Sequence, residues 1–284
     1  MVKFVFWDVQ HGSATYIAAP NGQHIVIDLG TWTYGNPNLK FSPLLYLKQK
    51  YGVKRLDGVI ITHPHCDHLD DIFNFDELSP SVLVRPSHLN KDHITTGDYK
   101  GNEKVINIIN KYLEINERYS SPIDPRDNPF DAQNNGGVEI QYFVSESCAT
   151  SNLNNHSVVT IISYAQRKMI IPGDNEPPSW DELLKQKDFL SAIENADILV
   201  APHHGRESGF SSALFKYISP RLTIISDGRF CDTSATNRYA EKTRGLIVHK
   251  RNGGTEERRC VTTRNDGVIV VEFDRQSFIK VTIN

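Results

Sequence analysis

Residues 58–71 read GVIITHPHCDHLDD, and four side chains able to bind a metal fall within six positions of it: His63, His65, Asp67 and His68. Val59-Ile60-Ile61 is a short β-branched apolar run between polar residues, the pattern of a buried strand that ends at Thr62. In extended chain, side chains two residues apart share a direction, so His63 and His65 can reach one metal together. Pro64 fixes φ between them and keeps the pair out of a helix. Asp67 and His68 follow the turn and face elsewhere, toward a second metal, and Leu69 to Ile72 reads as the start of a helix. One histidine at a strand end is ordinarily structural. Three with an aspartate in this order point to a metal site. Imidazole nitrogen with carboxylate oxygen suits Zn2+, and Mn2+ or iron is also compatible.

The same pattern recurs outward from this stretch. His24 to Asp28 reads as a strand ending in an aspartate, Lys168 to Pro172 runs into Gly173-Asp174, and Asp197 to Ala201 runs into His203-His204-Gly205. His156 stands just ahead of a strand at Ser157 to Ser163. Groups at strand C-termini on one sheet edge converge on a single crevice, so these residues are expected to meet. Further strands are expected at 3–9, 15–18, 81–86, 138–144, 222–226, 246–248, 260–262 and 268–273. Helices are expected at 42–51, 102–119, 179–193 and 210–218. Residues 31–40 read as a loop, and residues 120–137, rich in Pro, Asp, Asn and Gly, as a long loop or lid. Strands and helices alternate irregularly without a linker. The expected class is therefore α/β in one unit, 1–284, with a helix and loop insertion around 87–137.

At 284 residues and 39% hydrophobic, the chain can bury a sizeable core, and no apolar run is long enough to span a bilayer. The opening MVKFVFWDV reads as a first strand and not as a signal peptide. Cys66, Cys148, Cys231 and Cys260 are scattered with no CxxC, which argues for reduced thiols and a cytoplasmic setting. A net charge of −3 excludes a general polycation, so any nucleic-acid contact needs a local basic patch. His88, His93 and His249 fall outside any ligand pattern and read as surface residues. Lys250 to Arg259 reads as a solvated hairpin turning at Asn252-Gly253-Gly254.

HPHCDH resembles the HxHxDH signature of the metallo-β-lactamase superfamily. Within it, the chain is similar to the ComEC-like branch, the hydrolase domain of the bacterial competence protein and its stand-alone relatives. FWDVQHGSA resembles the branch's FLDVGQGDA opening, NNHSVVTII with RKMIIPGD its NNxSLVL and LLTGD passage, and ILVAPHHGRESG its LKVGHHGS. SPRLTIISDG and TTRNDGVIVV resemble its later PxxAIIS and TxxDGxI stretches. The resemblance implies an αβ/βα four-layer sandwich holding two divalent metal ions, Zn2+ by preference and Mn2+ as the alternative. It implies one site from His63, His65, His156 and Asp174. A second would use Asp67, His68, Asp174 and either His203 or His204, with His203 favoured as nearer its strand. Asp67 and Asp174 are the carboxylates placed in the chemistry, and Asp28 orients a ligand from behind.

The implied activity is a metal-dependent hydrolase that cleaves a phosphodiester through a metal-bound hydroxide, a nuclease or phosphodiesterase on DNA, RNA or a nucleotide. Other readings stay open: a carboxylic ester, lactone or phosphocholine-ester hydrolase, or a non-catalytic partner module of a DNA-processing or defence system. β-Lactam hydrolysis is disfavoured, and so is RNA maturation by an enzyme with a β-CASP insertion. Three departures stand out. Gln10-His11-Gly12-Ser13 replaces Gly-Gln-Gly-Asp, so a carboxylate is missing, and His11 takes a place near the site from which it can orient a ligand or meet substrate. Arg206 replaces a serine and suits a phosphate. The branch's NxYGHP stretch is not recognisable; residues 229–232 and Asn237-Arg238-Tyr239 occupy its region.

Overall fold

The computed structural model describes residues 1–31, 41–95, 102–228 and 235–284. The loop expected at 31–40 falls, beyond Thr31, outside the described residues, as do Cys231 and the 229–232 segment. The strands are β1 (Val2–Phe6), β2 (Thr15–Ala18), β3 (His24–Ile27), β4 (Gly58–Ile60), β5 (Val82–Val84), β6 (Glu139–Phe143), β7 (Val159–Tyr164) and β8 (Arg167–Ile171). They continue as β9 (Ile198–Val200), β10 (Leu222–Ile225), β11 (Leu246–Lys250), β12 (Thr255–Arg258), β13 (Cys260–Thr262), β14 (Ile269–Phe273) and β15 (Ile279–Ile283). Among the described residues they form two sheets, ordered β12-β11-β15-β14-β1-β2-β3-β4-β5 and β13-β10-β9-β8-β7-β6.

Side-chain alternation along each strand builds the layers. Phe4, Ile27, Val271 and Phe273 of the first sheet meet Ile162, Met169, Val200 and Ile224 of the second in one buried cluster. The opposite faces are also apolar. Val5, Val26 and Val59 pack under a helix at Glu103–Arg118 through Ile108, Ile109, Tyr112 and Ile115. Ile161, Ile170 and Leu199 pack under helices at Pro177–Leu183 and Lys187–Ile193 through Trp180, Leu183, Phe189 and Ile193. Helix, sheet, sheet, helix is the four-layer αβ/βα sandwich. No helix among the described residues is long and apolar enough to cross a membrane.

The strands expected from the sequence form with boundaries shifted by a few residues, and so does the 103–118 helix, whose N-terminus is capped by the Asn102 side chain. The single helix expected over 179–193 is two. It begins at Pro177, since proline fits a first turn, and it breaks at residues 184–186. The apolar positions explain the break: Trp180, Leu183 and Leu184 share one face, but the step from Leu184 to Phe189 is out of phase with a 3.6 period. The segment 210–218 buries Phe210, Leu214 and Ile218 as expected, yet only Leu214–Lys216 is helical. Serine has a weak helix preference, and the Ser211-Ser212 pair disfavours a continuous helix there.

The long loop at 120–137 is not a lid. Phe130 is inserted into the core between the sheets, and its ring lies so close to Gly58 that a Cβ there would meet it at 2.7 Å. Gly58 opens β4, at the end opposite His63. The loop is pinned by Asn135, which donates to the Pro129 carbonyl and accepts from Val138 N at 2.8 Å. It therefore closes the floor of the sandwich. Phe130→Ala is expected to cost about 3–5 kcal/mol of stability while leaving metal uptake at the far edge unchanged. Urea unfolding beside metal titration would check this, and loss of metal binding in the folded variant would place the loop at the site after all.

Candidate metal centre

β3, β4 and β5 run parallel in one sheet, and β8, β9, β10 and β13 run parallel in the other. Their C-terminal ends meet along one edge. Asp28 follows β3, Thr62 and His63 follow β4, Asp174 follows β8, and His203-His204 follow β9. The two sheets are stitched at this edge by Val158 N donating to the Thr62 carbonyl at 2.8 Å, and β8 and β9 are joined beyond their ends by His203 N donating to the Gly173 carbonyl at 3.2 Å. Gly173 has φ +60°, and a Cβ on it would lie 2.7 Å from Thr62 Cβ and 2.8 Å from Ser157 Cβ. Only glycine lets these three segments close up. A short helix, Cys66–Leu69, starts directly after His65 and swings Asp67 and His68 to the far side of the edge. Its backbone is held by Leu29 N on the His68 carbonyl at 2.8 Å and Ser13 N on the Asp67 carbonyl at 3.3 Å.

Asp67, His68, Asp174 and His204 each offer one ligand atom, all within 4.8 Å of one another. His204 Nε2 lies 3.2 Å from Asp67 Oδ2 and 3.4 Å from Asp174 Oδ2, and His68 Nε2 lies 3.3 Å from Asp174 Oδ1. Asp174 also reaches the other way: its Oδ2 is 3.8 Å from His63 Nε2, which in turn lies 3.0 Å from His65 Nδ1. The Asp174 carboxylate thus sits between two imidazole groups, with one oxygen directed to His68 and the other shared by His63 and His204.

The second ring nitrogen of each histidine tells which atom faces the cluster. His68 Nδ1 donates to Asp28 Oδ2 at 2.8 Å, and Asp28 Oδ1 accepts from Thr62 N at 2.7 Å. His204 Nδ1 donates to the Ser226 carbonyl at 3.0 Å, and His156 Nδ1 to the Ser145 carbonyl at 3.0 Å. In all three rings Nε2 is the nitrogen left able to bind a metal. His156 Nε2 is buried and meets no hydrogen-bonding partner among the described residues. A buried orphan of this kind is costly, and a divalent cation is the group that this donor set of imidazole nitrogens and carboxylate oxygens fits.

His203 and His204 both adopt left-handed backbone, with φ of 49° and 53°. That turn reverses the preference for His203: it carries the buried His204 ring into the carboxylate cluster and leaves His203 at the rim. There His203 Nδ1 lies 3.1 Å from Glu176 Oε1 and 2.9 Å from Ser208 Oγ. His11 stands beside Asp67, with Nε2 3.4 Å from its Oδ2. Arg206 lies between His11 and His203, its guanidinium 3.4 Å and 3.5 Å from their Nε2 atoms. Two neighbours escaped the sequence reading. Glu176 backs His203, and the PGDNE run carried no signal of it. His88, read as a surface residue, places Nε2 2.9 Å from His156 Nδ1; its position just past β5, another parallel strand end, was the available signal. Cys66 is half-buried, and burial with Asp67 nearby pushes its thiol up to about 11, so it is inert as a nucleophile.

Burial disfavours charge at His68 and His204, but the carboxylates prevail. Asp174, Asp28 and Asp67 hold His68 well above the ordinary histidine range, and Asp174 and Asp67 raise His204 to about 10. Burial would raise Asp67 and Asp174, yet the neighbouring imidazoles hold both carboxyls below their usual range. His63 and His65 go the other way, lowered chiefly by burial. At neutral pH the metal-free cluster is therefore two imidazolium–carboxylate contacts beside two neutral imidazoles. Because a metal must displace the Nε2 protons of His68 and His204, uptake at pH 7 is expected to release about two protons per chain, with affinity falling as pH falls. Calorimetry in buffers of different ionisation enthalpy measures this directly; uptake without proton release would mean that both rings are already neutral.

Comparison with known proteins gives the family of the chain. The family model described as the metallo-beta-lactamase superfamily matches residues 7–226. Recombination protein 2 of Haemophilus influenzae is 25% identical over 224 residues, covering 78% of this chain and 24% of that protein. ComE operon protein 3 of Bacillus subtilis is 22% identical over 247 residues, covering 82% of this chain and 28% of that protein. The chain thus spans about a quarter of the length of these curated relatives. Among solved structures, the metallo-beta-lactamase fold protein YhfI from Bacillus subtilis is similar at 16% identity and a TM-score of 0.44, covering 82% of this chain and 89% of that one. A long form RNase Z from yeast is similar at 12% identity and a TM-score of 0.48, covering 97% of this chain and 42% of that one. With its family model matched over residues 7–226, the chain belongs to the metallo-beta-lactamase superfamily, whose fold implies divalent metal ions.

Proposed function

We propose that residues 1–284 form one dinuclear metal-dependent hydrolase unit, with the 87–137 region as an insertion, that cleaves phosphodiesters in DNA, RNA or a nucleotide. The observation that carries the hydrolase reading is the Asp174 carboxylate set between two imidazole groups. His63, His65, His156 and Asp174 would hold one ion, and Asp67, His68, Asp174 and His204 the other. When bound, such a pair supplies an activated water near neutral pH and positive charge for the oxygens of the scissile group. Zn2+ suits the ligands best, with Mn2+ as the alternative.

The chain's own residues do the positioning. Asp28 and the Ser226 and Ser145 carbonyls each engage an Nδ1–H, so that His68, His204 and His156 present Nε2. Arg206 supports the phosphodiester reading. Its guanidinium stands at the rim next to the carboxylate cluster, and its buried Nε–H meets no acceptor among the described residues. A phosphoryl oxygen at the rim would accept a charge-assisted bond from this guanidinium. The name Recombination protein 2 of the Haemophilus relative favours DNA among the possible polymers.

The test is hydrolysis of bis-p-nitrophenyl phosphate and of single-stranded DNA with Zn2+ or Mn2+ added. Asp174→Ala and His65→Ala are expected to lower turnover by at least about 100-fold and to reduce bound metal. Arg206→Ala is expected to keep the metal and to lower kcat/KM by about 10- to 100-fold, the range of one charge-assisted hydrogen bond. Metal uptake with no phosphodiester cleavage would turn the reading toward a carboxylic ester or lactone. A chain without metal and without activity would turn it toward a partner module.

A further inference from the structure

We propose that His88 is a positioning residue for the candidate metal centre: it fixes the ring of His156 from the side opposite the ligating nitrogen, together with a loop anchored by Glu182. The inference rests on the dinuclear reading and adds to it a histidine that belongs to no ligand motif.

His156 Nδ1 has two neighbours at hydrogen-bond distance, the Ser145 carbonyl at 3.0 Å and His88 Nε2 at 2.9 Å. A carbonyl can only accept, so Nδ1 carries the proton. His88 Nε2 must then present its lone pair, and the one N–H is shared between two acceptors. The alternative, with His88 donating to Nδ1, would leave the Ser145 carbonyl without this donor and put a hydrogen on His156 Nε2, which is buried without a partner among the described residues. An acceptor on Nδ1–H raises the basicity of the ligating nitrogen and stops the ring from turning.

Both acceptors are held by rigid supports. The Ser145 carbonyl belongs to residues 145–148, which converge on one carboxylate. Glu182 accepts from Ser145 Oγ, from Ser147 Oγ at 2.5 Å, and from the backbone N–H groups of Glu146 and Ser147 at 3.2 Å and 3.3 Å. Glu182 lies on the Pro177–Leu183 helix, whose Trp180 and Leu183 are fully buried. His88 sits in a turn closed by Leu89 N on the Pro86 carbonyl at 3.1 Å, with Leu89 buried in the helix-side core. One acceptor therefore comes from each half of the sandwich.

The experiment compares wild type, His88→Phe and His88→Gln by metal content and by chelator-competition titration with Zn2+, and by the visible absorption of the Co2+-loaded protein. Wild type should take up about two ions per chain. His88→Phe keeps an aromatic ring but has no acceptor; it should hold one ion about 10- to 100-fold more weakly, leave the other unaffected, and alter part of the Co2+ spectrum. His88→Gln, whose amide oxygen can accept from Nδ1–H, should recover most of that affinity. Glu182→Ala, which frees the Ser145 loop, should weaken the same ion if His88→Phe proves unable to fold. Unchanged affinity for both ions in His88→Phe, or in Glu182→Ala in its place, would overturn the proposal. Equal weakening in Phe and Gln variants would overturn the hydrogen-bonding role. Failure of wild type to bind metal would instead sink the dinuclear reading, and this inference with it.

Discussion

The carboxylate of Asp174 is almost fully buried, and a buried charge must be matched where it lies. That requirement organises the whole upper edge of the molecule. Imidazoles from both sheets approach it, His63 and His68 from the end of β4 and His204 from the end of β9. Its backbone N–H is taken by Ser157 Oγ at 3.1 Å, and Gly173 before it lets the two sheets close to contact. Without metal, protons on His68 and His204 supply the matching charge. Removing one partner from such a cluster leaves the rest exposed to the full penalty of an uncompensated buried ion, commonly about 3–5 kcal/mol. The edge is thus a balance of charge in which metal and proton compete for the same nitrogens.

Orientation is the second requirement, and here the backbone does most of it. Ser145 and Ser226 hold histidine rings through carbonyls, which cannot reverse their role as acceptors, and Asp28 does the same with a carboxylate. Asp28 itself is locked by Thr62, the residue that ends the strand carrying the histidine motif. Each ring is therefore set by a residue just past the end of a strand, and Ser145 is held in addition by Glu182 of the Pro177–Leu183 helix. The loop of Gln10 to Ser13 lacks the carboxylate of the motif it resembles, yet it still packs against the site. Ser13 joins it through backbone bonds to Asp67 and Gly30, and His11 comes to Asp67 from that loop.

The sequence carried the strands, the 103–118 helix and the group of residues that meet at one edge. Those signals are local: alternation, helical period, and ligand types placed at strand ends. It misjudged features governed by distant partners. Residues 184–186 break a helix because Trp180 and Phe189 must both reach the same sheet. Phe130 lies in a segment whose composition reads as loop, and only the gap at Gly58 makes it core. His88 looked isolated because its partner, His156, is 68 residues away.

The ligand types of the site were legible in the sequence alone, since HPHCDH gathers imidazole and carboxylate groups within six positions and residue type sets that chemistry. The tertiary structure decided which atoms serve it. His203 and His204 are chemically identical neighbours, and a choice by distance from the strand favours the first. The left-handed backbone at both residues turns the second inward and leaves the first beside Glu176. That turn is held by His203 N on the Gly173 carbonyl and His204 Nδ1 on the Ser226 carbonyl, contacts between residues far apart in the chain that no local pattern contains.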